Sequence, residues 1–211
     1  MRSSRCHYQN LIPVLCLFIA ACANPADNKP VAEVGDAAPV APVAKADGTA
    51  RAYALTDASS LTWVGSKVTG SHNGGFDGVT GTVSASGDDP LTSQIDITID
   101  TTSITTDTDR LTGHLMSADF FEVETYPTAT FVSTAVEKEG DGYKVSGNLT
   151  LHGVTKGISF PAAISIAGDT LTATAEFVLK RTDFGINYKG KADDLIREEV
   201  VVAFDITAKA A

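Results

Sequence analysis

Few side chains here could do chemistry, and most are poorly spaced for it. Beyond an export leader the chain keeps three histidines, His72, His114 and His152. A metal site wants histidines clustered with one another or with carboxylates at short helical or loop spacing, and these three are dispersed. His72 sits in the glycine-rich residues 70–75, read as a flexible loop. His114 falls in a short turn, and His152 on the polar side of an alternating segment, where solvent is its expected neighbour. A pairing of His72 with His114 across converging loops is the one metal or enzyme arrangement left open. Nucleophilic catalysis has less support, because there is no Gly-x-Ser-x-Gly elbow and the serines are scattered. Asp107, Asp109, Asp119, Glu122 and Glu124 fall in turns where acids are ordinarily solvated. The glycines from 70 to 81 open no helix, so they form no phosphate cradle. The expectation is a protein without catalytic residues, metal or cofactor.

Lys67 is the charge of most interest. In the strand-like Leu61-Thr62-Trp63-Val64-Gly65-Ser66-Lys67, a period of two puts Leu61, Trp63, Gly65 and Lys67 on one face. If Trp63 points inward, so does Lys67, and a buried ammonium needs a partner, such as a ligand's polar head. The other reading has the strand curl so that Lys67 reaches solvent at a rim.

The elements that must position these residues are strands. Residues 94–100 alternate cleanly, with Ile95, Ile97 and Ile99 on one face. Residues 61–69 and 76–86 read as strands, and residues 128–137 and 143–151 pair across the turn Glu139-Gly140-Asp141-Gly142. Ile158, Phe160, Ala162, Ile164 and Ile166 share a face, as do Leu171, Ala173, Ala175, Phe177 and Leu179, and finally Val200, Val202, Phe204 and Ile206. About eight strands with one dry face and no long helix to cover it must close on themselves or stack as two sheets. Periodicity leaves barrel and sandwich both open.

Ahead of the strands, residues 1–21 carry Arg2 and Arg5, then an apolar core, then Ile19-Ala20-Ala21-Cys22. This is the pattern of a lipoprotein signal peptide whose cysteine is acylated, and Ala23 after it suits the outer membrane. Cys6 and Cys16 leave with the leader, so Cys22 is the single cysteine of the mature chain and no internal disulfide forms. The formal charge is −10 from 16 basic and 26 acidic residues; losing two arginines and no acid takes it to −12. Such a chain has no use for nucleic acid. Residues 22–50, rich in Ala and Pro and without aromatics, read as a flexible tether. Residues 51–211 read as the single folded domain, with a homodimer left open.

The alternation breaks once, at residues 107–117, where a short helical turn fits. Phe120, Phe121 and Tyr126 follow, then Pro127 and a strand from Thr128. At least one of the two phenylalanines is expected to point into the fold, and Tyr126-Pro127 to fix the chain's return to the sheet. The stretch from His114-Leu115 through Ser117-Ala118-Asp119-Phe120-Phe121 and Tyr126-Pro127 to Ala129-Thr130-Phe131 resembles the YceI-like family of bacterial envelope proteins. So do Trp63-Val64-Gly65-Ser66-Lys67, Gly147-Asn148-Leu149-Thr150 and Arg181-Thr182-Asp183-Phe184-Gly185. The resemblance implies an all-β, antiparallel, lipocalin-like barrel of about eight strands holding a long apolar ligand, a polyisoprenoid or related lipid. Together with the acylation pattern at Cys22 and the Ala23 that follows it, the expectation is an outer-membrane lipoprotein facing the periplasm, attached through the acylated N-terminus. On this reading Trp63, Lys67, Phe76, His114, Leu115, Phe120, Phe121 and Phe131 are the ligand-contacting set.

Overall fold

Every strand face picked out by alternation turns toward one interior. The structure, a computed structural model, describes residues 24–40 and 50–211; the leader and the acylation site at Cys22 lie outside the described residues. A short β1 (Glu33–Gly35) precedes β2 (Ala50–Leu55), β3 (Ser60–Lys67), β4 (Gly70–Phe76), β5 (Val79–Ser86), β6 (Gln94–Asp100) and β7 (Ile104–Thr106). The one α-helix among the described residues, α1 (Asp109–Met116), comes next. It is followed by β8 (Thr128–Glu139), β9 (Gly142–Leu151), β10 (Val154–Ala167), β11 (Thr170–Lys180), β12 (Gly190–Lys191) and β13 (Asp194–Ala210).

The strands form an antiparallel meander that closes when β13 pairs with β11 on one side and with β2 and β3 on the other. Along this ring β2 and β3, β4 and β5, and β6 and β7 are successive halves of bent staves, which makes a closed barrel of eight. Closure removes the open edges that an exposed sheet would leave. One end is filled by Tyr53, Val83, Ala85, Ile166, Leu171 and Ala208. At the other end α1 and the aromatic run lie across the opening, with Ile104, Leu115, Phe120 and Ile186 as their buried contacts.

Two expectations need correction. Residues 70–75 are not a loop but the strand β4, paired with β3 and β7. The glycines there serve the neighbouring strand: a Cβ at Gly74 would overlap the Trp63 indole and the Thr105 carbonyl. Glycine is usually depleted in strands, but it is used where another group approaches the backbone closely. The strand read over residues 76–86 accordingly divides, with Phe76 ending β4 and β5 starting at Val79.

The tether reading of residues 22–50 also gives way over residues 24–40. Strands β10 and β11 pair only between residues 163–167 and 170–174, then part. The N-terminal segment fills this seam as a strap. Glu33, Val34 and Gly35 pair with Ser159, Ile158 and Gly157 of β10. On the β11 side, Val178 N–H donates to Pro30 O at 2.8 Å and Ala32 N–H to Val178 O at 2.9 Å. Further along, Ala38 N–H donates to Asn148 Oδ1 at 2.9 Å and Asn148 Nδ2 donates back to Ala38 O at 2.6 Å. Ala32 is 6% exposed and belongs to the main core. An argument from side-chain burial misses this because the strap's anchors are backbone groups completing two unpaired strand edges.

Candidate functional site

Inside the barrel is a cavity of about 540 Å³. Its wall is mostly aliphatic: Ile95, Ile97 and Ile99 from β6, Ile158 and Ile164 from β10, Val200 and Val202 from β13. Aromatic rings narrow its middle, where Phe160 stacks on Phe177 with centroids 4.4 Å apart and Phe131 leans on Phe160 at 5.6 Å. These rings leave room because Ala162 and Ala173, on the same face as large residues, occupy little of the lumen. A concave, largely apolar space with a few polar groups at one end is the usual form of a small-molecule site, of about 300–1,000 Å³.

The aromatic run forms a lid at the polar end. Phe120 lies edge-on to His114 at 5.0 Å and tilts against Tyr188 at 5.3 Å, while Phe121 meets Phe76 edge-on at 5.7 Å. Local hydrogen bonds fold the run back on α1: Phe121 N–H donates to Leu115 O at 2.9 Å and Val123 N–H to Met116 O at 3.1 Å. Its return to the sheet is held by Thr101, whose hydroxyl donates to Tyr126 O at 2.7 Å and whose N–H donates to Pro127 O at 2.9 Å. Both phenylalanines line the cavity.

All eight residues of the expected ligand-contacting set, Trp63, Lys67, Phe76, His114, Leu115, Phe120, Phe121 and Phe131, line this one cavity. Lys67 combines its two readings, since it is on the inner face and at the rim, ion-paired with Asp194. That hydrogen bond from Lys67 holds the Asp194 carboxyl below its ordinary range; burial opposes it, and lesser hydrogen bonds from Thr69 act with it. The Trp63 Nε1–H is buried and has no acceptor among the described residues.

The histidines do not assemble a metal centre. His72 Nδ1 lies 3.0 Å from Asp107 Oδ1, and His114 Nε2 lies 2.9 Å from Asp119 Oδ2, so each has its own carboxylate. Among the described residues, no group of three or more His, Cys, Asp or Glu side chains is placed to hold a metal ion. His152 is not solvated as its place in the alternation predicts. It takes a left-handed conformation, φ 51°, in the tight turn between β9 and β10, and its side chain is 16% exposed against the Tyr126 ring at 4.7 Å. Turn geometry overrides strand alternation there.

Sequence reasoning left out five polar residues at the lid end: Arg181, Tyr188, Lys191, Asp194 and Arg197. Arg181 was within reach, because the inward series from Leu171 to Leu179 carried one step further lands on it. Arg197 was not. Strand β13 is irregular against β3 between Ile196 and Val200, which lets the adjacent Ile196 and Arg197 both face the lumen. Strict alternation forbids that outcome, and bulges of this kind re-aim side chains.

Comparison with known proteins gives a consistent picture. Residues 53–208 match the YceI-like domain family. A UPF0312 protein of Pectobacterium atrosepticum is 38% identical over 119 residues, covering 54% of this chain and 62% of that protein. Protein YceI of Escherichia coli is 41% identical over 96 residues, 46% of this chain and 50% of that protein. The chain thus matches about half the length of these curated relatives. Among solved structures, Burkholderia cenocepacia BcnA superposes with a TM-score of 0.64 at 26% identity, over 72% of this chain and 96% of its own. A polyisoprenoid-binding domain from Saccharophagus degradans superposes at 0.61 with 24% identity, over 76% and 99% of the two chains, and shares the fold.

Proposed function

The chain belongs to the YceI-like domain family, and from that premise we propose that it is a lipid-binding protein of the bacterial envelope, acting by binding and not by catalysis. Its ligand is a long apolar molecule, a polyisoprenoid or a related lipid, lying along the barrel axis beneath the aromatic lid. The observation that carries this reading is the aliphatic cavity of about 540 Å³ inside a closed barrel. A protein with no ligand would gain stability by filling that space, since core cavities cost roughly 24 cal/mol per Å³. The contact set is Trp63, Lys67, Phe76, His114, Leu115, Phe120, Phe121 and Phe131. Organic extraction of the protein purified from its own host, followed by mass spectrometry, tests the proposal. A stoichiometric apolar molecule is expected, and an empty extract counts against it.

The Ile19-Ala20-Ala21-Cys22 motif supports acylation at Cys22 and attachment to the outer membrane, facing the periplasm. Replacing Cys22 by serine should then release the protein from the membrane fraction. If Cys22→Ser sediments with membranes as the parent does, the anchor lies elsewhere.

A further inference from the structure

Because residues 24–40 are strapped to the barrel, an acyl anchor at Cys22 has almost no free chain behind it. Ala23 alone separates Cys22 from Asn24, and two residues span at most about 7 Å. A flexible tether over residues 22–50 would instead reach about 30 Å on average. Asn24 is itself held in place. Asp27 N–H donates to Asn24 O at 2.9 Å and Ala26 N–H to Asn24 Oδ1 at 3.2 Å. The Ser66 hydroxyl of β3, in a residue only 7% exposed, donates to Asn24 Oδ1 at 3.5 Å. A little further on, Lys29 Nζ pairs with Glu176 of β11 at 2.7 Å.

Ser66 stands at the lid end of the barrel, one residue before Lys67. Two hairpin tips meet there, Val68-Thr69 between β3 and β4 and Ala192-Asp193 between β12 and β13. Val68 N–H donates to Leu195 O at 3.1 Å, and the N–H and hydroxyl of Thr69 donate to Asp194 Oδ1 at 3.2 and 2.9 Å. The ion pair of Lys67 with Asp194 adds to these. So joined, the tips make one projection, and it presents Val68 and Leu195, 54% and 48% exposed. Single exposed apolar residues are ordinary, but these two sit on bonded backbones. The next residue, Ile196, packs on the lid's own apolar cluster.

We infer that the Val68–Leu195 tip is the surface this protein presents to the bilayer holding its anchor, so that the lid end of the barrel is turned to the membrane. This rests on the reading of Cys22 as the acylated residue and adds the orientation of the barrel. Two apolar side chains do not hold a soluble domain on a membrane. The acyl chains do that, and the tip selects which face turns down by leaving water for the interface. Charge favours the same face. The sequence as a whole carries −10, yet residues 67–69 and 189–195 hold three lysines, Lys67, Lys189 and Lys191, against Asp193 and Asp194. An anionic leaflet therefore repels this end less than the rest of the chain.

The test uses the mature lipoprotein made from the full chain, in vesicles of phosphatidylethanolamine and phosphatidylglycerol. A fraction of phosphatidylcholine with a nitroxide on its head group serves as quencher. With Cys22 acylated, a cysteine introduced by Val68→Cys, Leu195→Cys or Leu91→Cys is the one free thiol and takes a fluorophore. Leu91 is also apolar and 48% exposed, but it follows β5 at the closed end, roughly 30 Å away along tilted strands. Labels at 68 and 195 should lose most of their fluorescence to the nitroxide, and a label at 91 should keep nearly all of its own. A label placed by Asp193→Cys should be quenched as well, and Val68→Ser/Leu195→Ser should bring it down to the level seen at 91. Equal quenching at both ends overturns the inference, as does stronger quenching at 91 or a signal at 193 that ignores the double substitution. Mass spectrometry and flotation separate the two readings. An unacylated protein that stays off the vesicles removes the anchor and this inference with it, whereas an acylated, vesicle-bound protein without end preference removes this inference alone.

Discussion

Phe160 and Phe177 stack ring on ring inside the barrel, 4.4 Å apart and 11° from parallel, at the point where their strands separate. The register that pairs Ala163 with Thr174 would place them opposite each other. Past that point the strap of residues 30–35 occupies the space between the two backbones. The stacked pair therefore holds from within a seam that the strap closes from without.

Truncating either ring should expose that dependence. Phe160→Ala or Phe177→Ala is expected to lower stability by about 3–5 kcal/mol, the usual loss for a buried phenylalanine. Denaturant unfolding of the parent and the two variants gives the number. A loss below about 1 kcal/mol at both positions would be out of line with buried aromatic cores and would mean the seam holds without the rings.

The strap makes its own prediction. Ala32 lies against the main core, so Ala32→Asp places a carboxylate among apolar side chains and should lift the segment off. The Val178 amide, bonded to Pro30 O at 2.8 Å, is the reporter, and its hydrogen exchange should accelerate strongly. Unchanged Val178 protection would show that the strap is dispensable to the seam. The strap also has a pH signature through Lys144, whose ammonium donates to Glu33 at 2.6 Å. That hydrogen bond raises the Lys144 pKa, with burial opposing. A raised folded-state value means the contribution is fully present below the ordinary lysine range of about 10.4 and is lost as pH climbs through the folded value. Loss of the Lys144 charge should thus speed Val178 exchange, beyond the intrinsic increase with pH, in strong alkali.

Gly74 and Trp63 offer a third test. An alanine methyl at Gly74 would collide with the indole and with backbone, so Gly74→Ala should cost about 1–3 kcal/mol, as overpacked sites do. It should also move the emission of the chain's single tryptophan. Adding Trp63→Phe should recover part of the loss, because the two positions share one contact and their effects should not add. Simple additivity would mean that the clash is with Thr105 alone.

How far the sequence could be read depends on what kind of interaction built each part. Ile95, Ile97 and Ile99 declare their face because side-chain alternation is the cause of their burial, and the barrel wall follows from such faces. The short helix and the aromatic lid also announce themselves, since α1 interrupts the alternation and Phe120 and Phe121 have no place on a solvent loop. Closure into a barrel came from the family resemblance, as alternation alone suits a sandwich equally. The strap was hidden because Ala32 and Val34 are small and their anchors are backbone groups. Strand β4 was hidden because Gly74 answers to Trp63, and Gly75 to the Leu61 carbonyl, on another strand. Arg181 was legible by extending one series, whereas Arg197 depends on an irregularity in β13 that only the register against β3 reveals.

The two lid phenylalanines should separate stability from binding. Phe120 is 6% exposed and is braced by His114 and Tyr188, so it belongs to the core of the lid. Phe121 is half-buried, touches Phe76 edge-on and also presents to the cavity. Phe120→Ala should therefore cost about 3–5 kcal/mol and lower the melting temperature of ligand-free and loaded protein alike. Phe121→Ala should cost less in the ligand-free state, because less of its surface is removed from water. Its main effect should be a smaller stabilisation by ligand, since a bound molecule raises stability only in proportion to the logarithm of its occupancy term. Melting curves of both variants, with and without lipid, read out the two effects separately. If the order is reversed, Phe121 is the structural residue and Phe120 the ligand contact. If neither substitution changes melting temperature or lipid retention, the aromatic run is ordinary surface and nothing closes this end of the barrel.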